Sequence, residues 1–447
     1  MSGLFDSLSS ASRALTAARL GLDVAGQNIA NINTPGYSRR TLVLAEAPPT
    51  DPLSAGRGVD VVGIRALRDV LTEARLRREQ DSAAFSGAIV QGMSGLEAAL
   101  GAPGEGLDAE ISSFFDSFSS LADDPSSLSA RDNVLSQAAQ LTTAFHQLSE
   151  RFAAARRDAN AAIQNDVQEI NQLAAEVARL NDGISSNGQD VESLKDQRAV
   201  ALSRLSELAA VTVTTRDSNG VDVSIGQGRP LVIGTSTYQV TAPTSGPLGL
   251  SSIVSGGLDL TAETRGGEVG GLLAFRDTTV PGYQSRLDAI ASDLATAVNA
   301  AHQTGFDLSG AAGGDFFTPL GAVAGAAAAL TIDAAVAADG GLIAASGTGA
   351  VGDNAIARAL ANQRGAPIGA WGDLQYRFGS DLASAQSSSV SHGQVIQQLE
   401  QLRAQASGVS LDEEAANLMR FQRAYQANAR YFTTISDTLD SLMAMVR

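Results

Sequence analysis

A narrow apolar stripe at each end of the chain constrains its fold more than any other feature. Near the C terminus Leu411, Leu418, Tyr425, Phe432, Leu439 and Val446 recur every seven residues, and Phe421, Asn428, Ile435 and Leu442 form a second series three positions on. Near the N terminus Leu8, Leu15, Leu22 and Ile29 form one series, with Leu4, Ala11, Ala18, Ala25 and Ile32 as its partner. This is the a/d seam of a coiled coil. A helix that is apolar only at a and d cannot bury the stripe against itself, so each end requires another helix. That helix can come from the same chain, as an antiparallel pair closing a domain, or from a neighbouring subunit of a polymer. Periodicity alone leaves both open. Asn428 is a polar residue at a d position, which costs stability and can fix register.

The 447 residues suffice for several domains, and aromatics at 5% amid abundant Ala, Ser and Gly suit thin helical packing better than a bulky core. A net charge of −17 argues against a nucleic-acid partner, which needs a basic surface, and against anionic membranes. The lack of cysteine excludes disulfides and thiolate chemistry. His146, His302 and His392 lie far apart without ligand spacing and read as surface or helix-face residues. Asp6, Arg13 and Arg19 break any secretory signal, and no apolar run is long enough to span a bilayer.

The fold class read from the chain is multidomain and mainly α, a long helical bundle or coiled coil from both termini, with a β-rich outer insert domain. Residues 1–66 comprise the first helix, a turn at Asn33, Thr34, Pro35 and Gly36, and an extended segment. Residues 67–210 form a long helical hairpin, whose first arm runs from Leu128 and stops at Asn181, Asp182 and Gly183. At Val211 the period changes to two, and residues 211–280 read as β-rich, opening with a hairpin that turns at Ser218, Asn219 and Gly220. Helix is expected again from Pro281. Residues 281–370 mix helix with a Gly/Ala-rich stretch containing one strand at Leu330 to Ile332, and residues 371–447 hold the C-terminal helices.

No catalytic constellation stands out, no cofactor or metal is expected, and the chain reads as a non-enzyme. Asp412, Glu413 and Glu414 fall at a helix start, where negative charge suits the macrodipole. Asp307 and Asp315 lack the alternating ligands of a calcium loop.

Two stretches carry a resemblance. NIANINTPGYSRR, from Asn28 to Arg40 and including Asn31, Asn33, Thr34, Pro35, Gly36 and Tyr37, resembles the signature after the first helix of bacterial flagellar axial proteins, the rod, hook and hook-associated subunits. SGVSLDEEAANLMRFQRAYQANAR, from Ser407 to Arg430, resembles their C-terminal signature. Ser38 and the stretch opening at Pro281 are similar to members at the junction between hook and filament. The resemblance implies a structural junction adaptor; the alternatives are another axial subunit, rod or hook protein, and a secreted helical protein of a different class. It implies assembly through paired terminal helices, with copies of itself, hook protein, the next hook-associated junction protein, an export chaperone and the type III export apparatus as partners. It further implies an extracellular place in the flagellum, reached without a cleaved signal, and no nucleic acid or membrane partner.

Overall fold

The computed structural model describes residues 2–48, 57–102, 104–186, 190–216, 219–245 and 249–445. The first helix, α1 (Ser2–Ala30), leads through turns into the antiparallel hairpin of β1 (Arg40–Glu46) and β2 (Val59–Ala66), which is bulged between Val43 and Leu44. Pro49 and Pro52, whose spacing reads as an irregular loop after the extended segment, lie outside the described residues. Helix α2 (Val70–Leu100) starts where the Asp69 carboxylate accepts the Leu71 and Thr72 N–H groups. It is followed by α3 (Leu107–Asp123), α4 (Leu128–Ser185) and α5 (Val191–Leu208).

At 58 residues, α4 is about 87 Å long. It runs through the expected stop at Asn181, Asp182 and Gly183, because Asn181 and Gly183 face partners instead of a turn while Asp182 stays exposed. The Asn181 side chain is buried, and Gly183 lies beneath Leu194 of α5.

Among the described residues nine short strands follow. β3 (Val211–Thr215), β4 (Val221–Ile225), β5 (Arg229–Ile233) and β6 (Ser236–Thr237) form one antiparallel sheet. Val213 sits opposite Val223, and Asn219 takes the positive φ of the turn, while Ser218 lies outside the described residues. β7 (Val240–Thr241) pairs with β10 (Val254–Ser255), which pairs with β11 (Leu258–Asp259); β8 (Thr244–Ser245) pairs with β9 (Leu250–Ser251). The strands share a core with α4 and α5: Val223, Ile225, Leu231 and Val240 pack with Ile163, Val167, Ile170 and Val177. Three asparagines of α4 hold the strands by their backbone. Asn160 accepts from Ser251 N–H at 2.7 Å, Asn171 both accepts from and donates to Val240, and Asn181 does the same at Val221.

Strands end at Asp259, and the helix expected from Pro281 begins earlier, with α6 (Gly267–Ala274) passing through a π turn at Phe275–Thr279 into α7 (Val280–His302). The glycines that hide α6 from a propensity reading permit close packing: a Cβ at Gly271 would come within 2.4 Å of the Phe85 carbonyl on α2. The strand expected at Leu330 to Ile332 is only a bridge from Ile332 to Phe317, beside short helices α8 (Ala326–Ala329) and α9 (Ala334–Ala338). This segment is organised by polar side chains reaching from elsewhere. Asp288 accepts from Gly325 and Ala327 N–H, and the buried Arg131 donates to the carbonyls of Pro125 and Ile343.

His302, read as a surface or helix-face histidine, lies on the last turn of α7 but turned inward. It is fully buried, its Nδ1 donating to Gly314 O and its Nε2 accepting from Ala344 N–H, both at 2.8 Å, and burial lowers its pKa. His146 is half-buried and contacts Leu330 O, while His392 contacts Glu79.

After α10 (Ala355–Ala361) the chain closes with α11 (Gly365–Ser407) and α12 (Leu411–Met445). α11 runs antiparallel to α2, with Gln375 at Leu100 and His392 at Glu79. The main core lies among α2, α3, α4, α7 and α11. Phe114 sits at its centre, 5.1–5.8 Å from the rings of Phe115, Phe118, Phe316 and Phe317.

Candidate assembly surface

Helices α1 and α12 pair antiparallel, since Gly21 meets Phe421 while the backbone after α1 meets the start of α12. The contact is made mainly by the small residues of α1. Ala11, Ala18 and Ala25 are at most 4% exposed, as are few of the larger positions around them. A Cβ at Gly21 would stand 2.5 Å from the Phe421 ring, so only glycine lets that ring lie on the helix backbone. The larger seam residues Leu4, Leu8, Leu15, Leu22 and Ile29 are only half-buried, and Ile32 is exposed.

On α12 the cover is also incomplete. Ile435 is buried; Leu418, Phe421, Asn428, Phe432 and Leu439 are half-buried; Leu411, Tyr425 and Leu442 are 53%, 41% and 39% exposed. Val446 lies outside the described residues. The pair therefore satisfies one side of each stripe and leaves the other open. An open apolar edge along most of a helix has the form of a contact awaiting a further helix.

The segment after α1 folds into a joint between this pair and the helical body. Asn28, buried, donates to Arg40 O and accepts from Arg40 N–H and from the Tyr37 hydroxyl, each at 2.9 Å. Asn31 accepts from Thr34, and Asn33 and Pro35 turn the chain at the surface. Gly36 has φ +79° and sits against Val200 of α5, where a Cβ would be 2.4 Å from the methyl. Arg39 then clamps the start of α12, with Nε 2.7 Å from Glu414, Nη1 2.6 Å from Glu413, and its N–H donating to Ser407 O. Glu414 is 2% exposed. The acidic residues at the start of α12 thus act as ion-pair partners as well as favouring the helix dipole.

Below this clamp, acidic residues at the tip of the α4–α5 hairpin meet Arg40 and Arg68. Arg40 lies 3.0 Å from Asp190 and over the Tyr37 ring, while Arg68 lies 2.7 Å from Asp196 and 2.9 Å from Glu192, which also pairs with Lys195. Burial opposes the charge on Glu192, but Lys195, Arg68 and the Ala66 N–H outweigh it and hold its pKa below the usual carboxylate range. Burial raises the Tyr37 pKa. Sequence reasoning singled out Asn28 to Tyr37 as candidates and did not single out Asp190, Glu192 and Asp196. Their one visible signal was the concentration of charge between Asp190 and Arg198.

Among the described residues no group of His, Asp or Glu is arranged to hold a metal ion, and no helix is long and apolar enough to cross a membrane.

Comparison with known proteins gives three family matches. Residues 93–317 match the flagellar hook-associated protein FlgK helical domain, residues 8–37 the flagella basal body rod protein family, and residues 400–445 the flagellar basal body rod FlgEFG protein C-terminal family. The chain is similar to flagellar hook-associated protein 1 of Escherichia coli strain K12, at 26% identity over 98% of this chain and 99% of that one, and to that of Bacillus subtilis strain 168, at 27% over 99% and 98%. Among solved structures it resembles the flagellar hook junction protein FlgK from Burkholderia pseudomallei, with a TM-score of 0.52 and 30% identity over 55% of this chain and 46% of that chain.

Proposed function

The chain belongs to the flagellar hook-associated protein FlgK family, and from that membership we propose that it is the structural adaptor at the junction of hook and filament. The observation that carries this reading is the pairing of α1 with α12, which sets the two segments similar to rod-protein families side by side with an apolar edge left open. Copies of the chain close those edges against one another. Hook protein contacts the assembly on one side and the next hook-associated protein on the other. An export chaperone and the type III export apparatus deliver the chain to the cell exterior, and no catalytic step is involved.

The alternative of a rod or hook subunit is disfavoured by the FlgK helical-domain match, which covers half of the chain. Asn428, half-buried between Phe421 and Ile435 in the seam, fixes register in the assembled state. Asn428→Leu should leave the free chain folded while altering assembly, and unchanged assembly would remove that role.

The test of the main reading is labelling of the tagged chain on intact flagella. A single ring at the filament base is expected. Label along the whole filament or only within the cell envelope would overturn the reading.

A further inference from the structure

A cleft of about 220 Å³ opens between the joint and the helical body, with walls from α2, α5 and the end of α11, and with Tyr37 and Ser407 contributed by the joint. A single water needs only about 10–15 Å³, so the cleft has room for a guest of several atoms. Its charges do not balance. Arg204 is committed to Glu169 and Glu207, at 2.7 and 3.1 Å. Arg77 and Arg403 are half-buried, and their guanidinium groups make no hydrogen bond or ion-pair contact with another described residue. With Glu207 already paired, the carboxylate left in the cleft is Glu73, one turn before Arg77, and its charge is coupled to both arginines. Burial works against the charges of Glu73 and Arg77 alike. Gln80 accepts from the Ser203 hydroxyl at 2.8 Å, which leaves its amide N–H groups as further donors in the cleft.

Two guanidinium groups thus share one reluctant carboxylate in a wet, partly enclosed space. The net charge of −17 does not decide what enters it, because salt screens distant exposed charges beyond about 10 Å at 0.1 M. The groups lining the cleft decide. We propose that the cleft binds a free tetrahedral oxyanion of the phosphate class, held by Arg77 and Arg403 with Gln80. The planar fork of a guanidinium matches two oxygens of such an anion, and charge-assisted hydrogen bonds are the strong ones. Bound there, the anion ties α2 and the end of α11 to the joint and holds the terminal pair against the body. The site needs no second copy of the chain, so it stands apart from the junction reading.

The test uses the purified full-length chain. Inorganic phosphate is titrated against potassium chloride of equal ionic strength, and cutting around Ser407 by a protease of broad specificity is timed. Half-saturation on the order of 1 mM is expected from two charge-assisted contacts. At ten times that concentration cutting should slow about tenfold, because only the closed joint holds the anion. Equal protection by chloride would reduce the effect to screening and overturn the site.

Arg77→Gln and Arg403→Gln should each raise half-saturation about tenfold or more, with the main thermal transition checking that each variant folds. Glu73→Gln is the sharper variant. It removes the competing carboxylate and should lower half-saturation severalfold, a gain that damage to the fold does not produce. Protection that survives both arginine variants, or a half-saturation that Glu73→Gln leaves unchanged, would overturn the proposal.

Discussion

The helical body and the terminal pair are both built from long antiparallel helices, yet they bury opposite kinds of residue. In the body Phe114, Phe118, Phe145, Phe152 and Trp371 are at most 1% exposed and form one cluster. In the terminal pair the buried apolar residues are mostly alanines, joined by Val24 and Ile435, and the leucines and tyrosines stay partly open. The same antiparallel geometry thus gives one region that is complete within a single chain and one that is not. Size of the buried side chain, more than helix length, separates a finished core from a half-made interface.

That contrast can be broken most strongly from the body side. Phe114→Ala removes the ring at the centre of the aromatic cluster and should cost about 3–5 kcal/mol, read as a fall in the main thermal transition. A body that tolerates it without a shift is not a finished core. Next in size is Arg39→Ala, which strands the buried Glu414 carboxylate and should cost about 2–4 kcal/mol at the joint. Its signature is faster proteolytic cutting around Ser407 with the main thermal transition unmoved. A fall in that transition would show that joint and body unfold as one.

Gly21→Val pushes a side chain into the Phe421 ring and should weaken the α1–α12 pair by about 1–3 kcal/mol. A filament-length assay should register it, and normal filaments would mean that the pair seen in one chain is not the pair used in the assembly. The smallest effect concerns pH. Burial, with help from Glu268 and Glu169, raises the pKa of Asp166 to about 7. The folded chain therefore holds this proton more tightly than the unfolded one. Its stabilising contribution is present in full below about pH 4 and is lost as pH rises through about 7. Asp166→Asn should flatten that part of a stability–pH profile, and an unchanged slope would assign it to other groups.

Much of the fold was legible because it is written in local periodicity. The terminal helices, the Val211–Ile225 hairpin and the start of α4 at Leu128 need only neighbouring residues to be recognised. What was not legible depends on groups far away in sequence. α6 looks like a glycine-rich linker until Phe85 of α2 is seen against Gly271. Asn181 and Gly183 look like a stop until the strands and α5 are placed beside them. His302 looks like a helix-face residue until Gly314 and Ala344 close over it. At the candidate surface, the heptads gave the stripes, while the choice of alanine over leucine as the buried side was decided by how closely the Phe421 ring approaches Gly21. The joint acids were missed for a similar reason, since Asp196 gains its meaning only from Arg68 across the hairpin.

The antiparallel pairing of α1 with α12 also fixes an order of events. The partners are separated by almost the entire chain, so closing the contact between them carries the largest loop entropy of any in the molecule, whereas the α4–α5 hairpin closes over a few residues. Contacts of such sequence separation form late in folding. The pair therefore reports completeness. A chain cut short between α11 and α12 can still build its hairpin and its aromatic core, but it presents α1 alone. Only a finished molecule can offer the composite edge on which the next copy is to be laid.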